Sequence, residues 1–197
     1  MFLCDILESE VFLWSDQDKH HFLEIRKTGT EVYYRGGVLE PTELEEGEVE
    51  PKLYIPAMVR ADRPITRHGQ FYFEVLIVSS GKGKEIGVGI CIKNSSLNKM
   101  PGWDPFTFGY HGDDGKIYCE DDSSRKAMKG EKFESGDQIG VLLDFNTAEL
   151  TFSKNKKNIK MIKLEAHHMN QDFYPSIGII SSDAIVQLKS GGKLMIF

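Results

Sequence analysis

Residues 70–78, QFYFEVLIV, and residues 85–92, EIGVGICI, alternate with a period of two. In the first, Phe71, Phe73, Val75 and Ile77 share one side, and Tyr72, Glu74, Leu76 and Val78 share the other. In the second, Ile86, Val88, Ile90 and Ile92 oppose a row of small residues, Gly87, Gly89 and Cys91. Successive side chains of a strand point to opposite faces, so both stretches read as strands with one apolar face. The small row leaves room for a bulky group or another backbone to lie against its face. Outward from this pair, QIGVLLDF (138–145) repeats the pattern with Ile139, Val141, Leu143 and Phe145, and TFS (151–153) follows the turn-like Asn146-Thr147. FLEIR (22–26), EVYYR (31–35), KIYC (116–119), FYPSIGII (173–180) and AIVQL (184–188) are further strands, bounded by Gly, Asn, Asp and Ser.

Many short strands and little helix predict an all-β fold of two antiparallel sheets packed face to face. Helical spacing occurs once, at Leu3, Ile6, Leu7, Glu10, Val11 and Trp14, which predicts a short N-terminal helix. Residues 1–20 therefore read as an N-terminal extension and 21–197 as one domain. The run EPTELEEGEVE, Glu40 to Glu50, reads as a solvated loop.

The 197 residues carry 24 basic and 30 acidic side chains, a net charge of -6. A net-acidic chain is a poor general binder of nucleic acid or of anionic membrane. Acidic residues interrupt the N-terminal apolar positions, which does not suit a secretory signal, and no window approaches the roughly 18 apolar residues of a spanning helix. Cys4, Cys91 and Cys119 are odd in number and widely spaced, which fits a reducing compartment. The expectation is an intracellular protein of the cytoplasm or nucleus, with no nucleic-acid or membrane partner.

The densest polar cluster is GYHGDDGKIY (109–118), with His111, Asp113 and Asp114, followed by Glu120, Asp121 and Asp122. The adjacent aspartates would face opposite ways on a strand, and the spacing of a calcium loop is absent. Gly-Asp-Asp-Gly is ordinary turn chemistry, so the turn reading outweighs a metal-dependent enzyme built on His111 and Asp113 or Asp114. His20-His21 and His167-His168 lack the spacing of zinc ligands and read as surface loops. No GxSxG elbow or phosphate loop occurs, and Cys91 and Cys119 lie in strand-like runs where thiols are packing. The lysines of SKNKKNIKMIK (153–163) have no interleaved aromatics and read as a solvated hairpin tip. The expectation is a non-catalytic chain with no cofactor or metal.

The combination of QFYFEVLIV, EIGVGICI, LNKMPGWDPFTFGYHGDDGKIY (97–118), FESGDQIGVLLDFNTAELTFSKN (133–155) and FYPSIGI (173–179) resembles the SPRY (B30.2-related) domain family, most of all its RanBPM type. Trp14-Ser15 with Asp18-Lys19, EVYYRG, Gly136–Gly140 and Tyr174–Ser176 extend the resemblance almost end to end. It implies a bent β-sandwich without catalytic activity that binds a peptide or partner protein through loops at one end, either as an adaptor feeding a ubiquitin-ligase or signalling complex or as a structural subunit of a larger assembly. Trp103, Tyr110, His111, Asp113 and Asp114 belong to its structural motif. Trp103 is expected to cap the sandwich edge, and Gly109 and Gly112 to sit where a larger residue would obstruct packing or a turn.

By the same resemblance, three stretches form the binding face: Arg60, Asp62, Arg63 and Pro64; Asn98, Lys99 and Met100; and Ser181 with Ser182. Gathered together, Arg60, Arg63 and Lys99 would favour a partner segment with Asp or Asn side chains. Two departures stand out. The hairpin tip is Lys154-Asn155-Lys156 where the family has Lys-Asn-Gly, which predicts a different turn type, and LKSGGKLMIF (188–197) replaces a terminal Asn-Phe-Gly. The helical LisH, CTLH and CRA regions of RanBPM-like scaffolds have no counterpart in these residues.

Overall fold

The computed structural model describes residues 12–36, 55–121 and 124–190. Fourteen strands form two antiparallel seven-stranded sheets. In spatial order the first joins β1 (Trp14–Lys19), β4 (Ala57–Ala61), β13 (Phe173–Ile179), β6 (Ile86–Ile92), β7 (Phe108–His111), β8 (Lys116–Asp121) and β9 (Ser124–Lys129). The second joins β12 (Lys157–Lys163), β11 (Glu149–Lys154), β10 (Gln138–Asp144), β5 (Gln70–Ser79), β14 (Ile185–Ser190), β3 (Glu31–Tyr34) and β2 (Leu23–Arg26). A short helix, α1 (Ala166–Met169), precedes β13.

The alternation seen in the sequence sets the core. Phe71, Phe73, Val75 and Ile77 of β5 are buried beneath Ile86, Val88 and Ile90 of β6, and Ile139, Val141 and Leu143 of β10 extend the same layer. Each such side chain contributes about 1.5–3 kcal/mol on leaving water. Phe12 and Trp14 close one end, packed edge-on at 5.5 Å, with Phe12 also edge-on to Phe73 at 5.7 Å. Trp14, counted above as the last position of a helix, instead opens β1, an edge strand bonded to β4. The remaining positions of that helix, the acidic run 40–50 and residues 191–197 lie outside the described residues.

The glycine-lined face of β6 is covered, as its small side chains require. The segment after β6 turns back and crosses the outer side of the first sheet as a strap. Met58 of β4 donates to the Leu97 carbonyl at 2.9 Å, and Met100 then sits over Gly178 of β13 and Gly87 of β6. Pro101 lies on Gly109 of β7, and Gly102 abuts Tyr118 of β8. A Cβ on Gly109 would stand 2.1 Å from the Pro101 carbonyl oxygen, so only glycine admits the strap there.

Several readings change. The stretch VRADRPIT (59–66), expected among the binding loops, is not all loop, because Val59, Arg60 and Ala61 end β4, which is buried along its whole length. One histidine of each pair is buried. His168 packs edge-on to Phe108 at 5.3 Å, and its Nδ1 accepts from the Glu165 N–H. His20 accepts from the Phe22 N–H through Nδ1 at 3.1 Å. Burial, and then the neighbouring His21, hold His20 below its ordinary value of 6.5. The unfolded chain therefore binds a proton that the folded one resists, and stability falls as pH drops through about 6.5. Denaturant titrations at pH 7.5 and 5.5 should show this loss, and His20→Gln should reduce the difference.

The hairpin between β11 and β12 also differs from expectation. Lys154 pairs with Lys157, so Asn155 and Lys156 form a two-residue turn, and both have positive φ, 50° and 67°. This is the hairpin geometry that normally takes glycine at its second position. The Asn155 side chain holds it, accepting from the Gln138 N–H at 2.9 Å and donating to Asp137 at 2.8 Å. Lys156→Gly should raise stability by about 0.5–1 kcal/mol, readable as a higher denaturation midpoint.

Candidate functional site

The strap is fixed by its own polar groups. Thr107, fully buried, accepts from the Gly102 N–H at 2.8 Å and the Asp104 N–H at 3.1 Å, and donates back to the Asp104 carbonyl. Asp104 accepts from the Ser96 N–H at 2.8 Å and pairs with Lys99 at 2.7 Å. His111 is buried on the outer side of β7, its Nε2 hydrogen-bonded to the Pro101 carbonyl at 2.8 Å. Trp103 rests against it, ring centroids 5.8 Å apart. The tryptophan is half-buried on the outer surface, not a core cap, while Tyr110 of the same motif faces inward against Phe133 and Phe152. Burial pushes the Tyr110 hydroxyl up to about 12.

Of the three stretches expected to form one face, only part comes together. Asn98 and Lys99 are exposed on the strap, next to Trp103, while Met100 is buried beneath it against Gly87 and Gly178. Ser181 and Ser182 follow β13 at the same end of the sheet, where Ser181 accepts from the Glu85 N–H at 3.2 Å. The β4–β13 register sets Arg60 opposite Ser176 and Ala57 opposite Ile179. Asp62 and Ser181 are thus offset by seven residues, about 23 Å along the strands. The loop Asp62–Pro64 is exposed at the opposite end, where Asp62 accepts from the Leu13 N–H at 3.2 Å and pairs with Arg63.

Arg60 is not a surface cation at all. It is 4% exposed, grips Asp18 of β1 through two hydrogen bonds of 2.8 and 2.7 Å, and donates a third to the Ser95 carbonyl at 2.8 Å. Burial pushes the Asp18 carboxyl up, but bonds from Arg60 and Lys93 outweigh it and hold the group low. Because Arg60, Arg63 and Lys99 do not converge, the preference for Asp or Asn side chains loses its basis. Nearby Cys91 is buried, and that burial pushes its thiol up to about 11, as suits packing.

The Gly-Asp-Asp-Gly run is a turn. Asp114 accepts from the Lys116 N–H at 2.9 Å and from the Tyr118 hydroxyl, whereas His111 is committed to Pro101. Among the described residues no group of three His, Cys, Asp or Glu is placed to hold a metal. Asp113 faces the same end as Glu85, whose carboxyl is pushed up by burial and then by Asp113. Sequence reasoning missed Asp104 and Thr107, although an Asp followed three residues later by Thr, after Pro-Gly, is the signature of a side-chain-locked turn. No described helix is long and apolar enough to cross a membrane.

A bent two-sheet sandwich with a locked strap across its outer face has relatives. The family model for the SPRY domain matches residues 70–192. Human Ran-binding protein 9 is 29% identical over 185 residues, which cover 93% of this chain and 23% of that protein. SPRY domain-containing protein 3 of Pongo abelii is 32% identical over 196 residues, 96% of this chain and 39% of that protein. The chain thus spans about a quarter of the length of the Ran-binding protein 9 relatives. A crystal structure of a human SPRY domain superimposes with a TM-score of 0.65 at 27% identity, covering 86% of this chain and 95% of that one. The SPRY domain of human HERC1 shares the fold, with a TM-score of 0.67 at 16% identity over 93% of this chain and 99% of that one. The family match covers more than half of the chain, and the chain belongs to the SPRY domain family, a protein–protein interaction fold.

Proposed function

We propose that this chain is a non-catalytic, intracellular adaptor module that captures a short segment of a partner protein at the strap end of the first sheet. The observation that carries the reading is Trp103: a large aromatic side chain, half-buried on the outer surface, on a backbone that Thr107, Asp104 and His111 hold still. Tryptophan supplies much contact area with few rotatable bonds, and a rigid mount lowers the ordering cost of binding. Asn98 and Lys99 flank it with exposed polar groups, and Ser181 and Ser182 border the same end. Generic membership of the family supports protein binding rather than catalysis, since SPRY domains are generally interaction modules. Such a module would supply recognition to a larger ubiquitin-ligase or signalling assembly.

Immobilised wild-type chain and its Trp103→Ala variant, incubated with the same lysate and compared by quantitative mass spectrometry, test this. The variant should lose a protein enriched by wild type while losing only about 1–2 kcal/mol of stability, less than a fully buried aromatic would cost. A folded variant that enriches the same proteins to the same extent refutes the site.

A further inference from the structure

Beside that end lies a cavity of about 250 Å³ between the 81–85 turn, the 112–115 turn, the 130–137 segment and the β11–β12 hairpin. Phe133, 2% exposed, is its apolar lining, and the charged groups around it are Lys84, Asp113, Lys132, Glu134 and Lys154. Three of these are already satisfied. Lys84 pairs with Glu134 across the rim, and Lys154 bonds the Lys132 carbonyl at 2.7 Å and pairs with Asp137 at 3.2 Å. The side chains of Lys132, exposed, and Asp113, half-buried, make no hydrogen bond or ion pair among the described residues. The lining of one cavity therefore carries a cation and an anion that pair neither with each other nor with another described side chain.

We propose that this cavity receives two oppositely charged side-chain ends of a partner segment, an acidic one directed to Lys132 and a basic one directed to Asp113. The proposal rests on the protein-binding reading above and adds the chemistry of the segment. A ligand with one charge would leave the opposite wall charge desolvated and unpaired, whereas a dipolar ligand pairs both. The volume admits two side-chain ends rather than a folded element, and Lys84 and Glu134 at the rim are already paired with each other. Glu85, whose carboxyl is pushed up by burial and then by Asp113, faces the same side, so a basic end meets a negative field there.

Amide NMR titration of the full chain with the blocked tripeptide acetyl-Lys-Ala-Glu-amide reads this directly. Saturable shifts are expected at Gly83, Gly112 and Phe133. Lys132→Gln or Asp113→Asn, both on the surface, should each weaken binding about threefold or more, the factor one exposed charge pair supplies. Replacing either charged residue of the peptide by glutamine should do the same. No saturable shift at these amides, or equal affinity in either variant, overturns the cavity proposal. That failure is separate from failure of the Trp103 site, because Trp103-dependent capture of a protein would persist.

Discussion

Replacing Arg60 by alanine should cost about 3–5 kcal/mol of stability, although the sequence reads it as part of an exposed binding loop. The guanidinium is 4% exposed, and its two bonds to Asp18 join β1 to β4 while its third fixes the turn at Ser95. Removing one member of a buried pair leaves the other desolvated, which is the costly way to break such a contact. Lys93 remains on Asp18 at 2.6 Å, so the loss should lie toward the lower end of that range. Urea denaturation of Arg60→Ala, Asp18→Asn and the double variant forms a cycle, and the coupling should exceed about 1 kcal/mol, the upper range of exposed pairs. Arg63→Ala, at 57% side-chain exposure, should change stability by no more than about 0.5 kcal/mol. Equal and small effects at both arginines would show that Arg60 is not held as described.

Gly109→Ala should be at least as damaging, at about 3 kcal/mol or more, the upper end of what overpacking costs. Its Cβ would meet the Pro101 carbonyl oxygen at 2.1 Å and the carbonyl carbon at 2.5 Å, both backbone atoms of the strap. Neither can rotate aside, so the strap must lift from the sheet, and the His111–Pro101 bond must go with it. Gly136→Ala is the contrasting case: φ is +92° there, but nothing lies within 4 Å of the added carbon. Its cost is conformational only, on the order of 1 kcal/mol. Near-equal midpoints in denaturant for the two variants would contradict the packed strap.

The fold was legible wherever a strand buries one face and shows the other to water. β5 does so; β6 is covered on both faces, yet its large residues alternate with small ones, and these two patterns with the apolar row of β10 predict the sandwich. β4 was hidden because both of its faces are covered, one by the core and one by the strap, so it does not alternate; its one charge, Arg60, reads as solvent-facing until Asp18, 42 residues away, is seen beside it. The small row of β6 announced that something must lie on it, but not that residues 97–102 do. Of the site, the residue types at Asn98, Lys99 and Trp103 were visible in sequence. Their separation from Asp62–Pro64 was not, since that depends on the β4–β13 register. Adjacent histidines misled for a similar reason: His20 and His168 are buried by distant parts of the chain that local composition does not contain. At the hairpin tip, the Asn155 side-chain bonds outweighed the modest cost of a lysine at positive φ.

The most direct test of the central claim is amide hydrogen exchange on the chain alone and in complex with the partner it captures. Binding at the strap end predicts slowed exchange over residues 97–106 and 180–184, with residues 62–66 unchanged. Protection confined to 62–66, with none on the strap, would place the binding face at the other end of the sandwich and contradict the account.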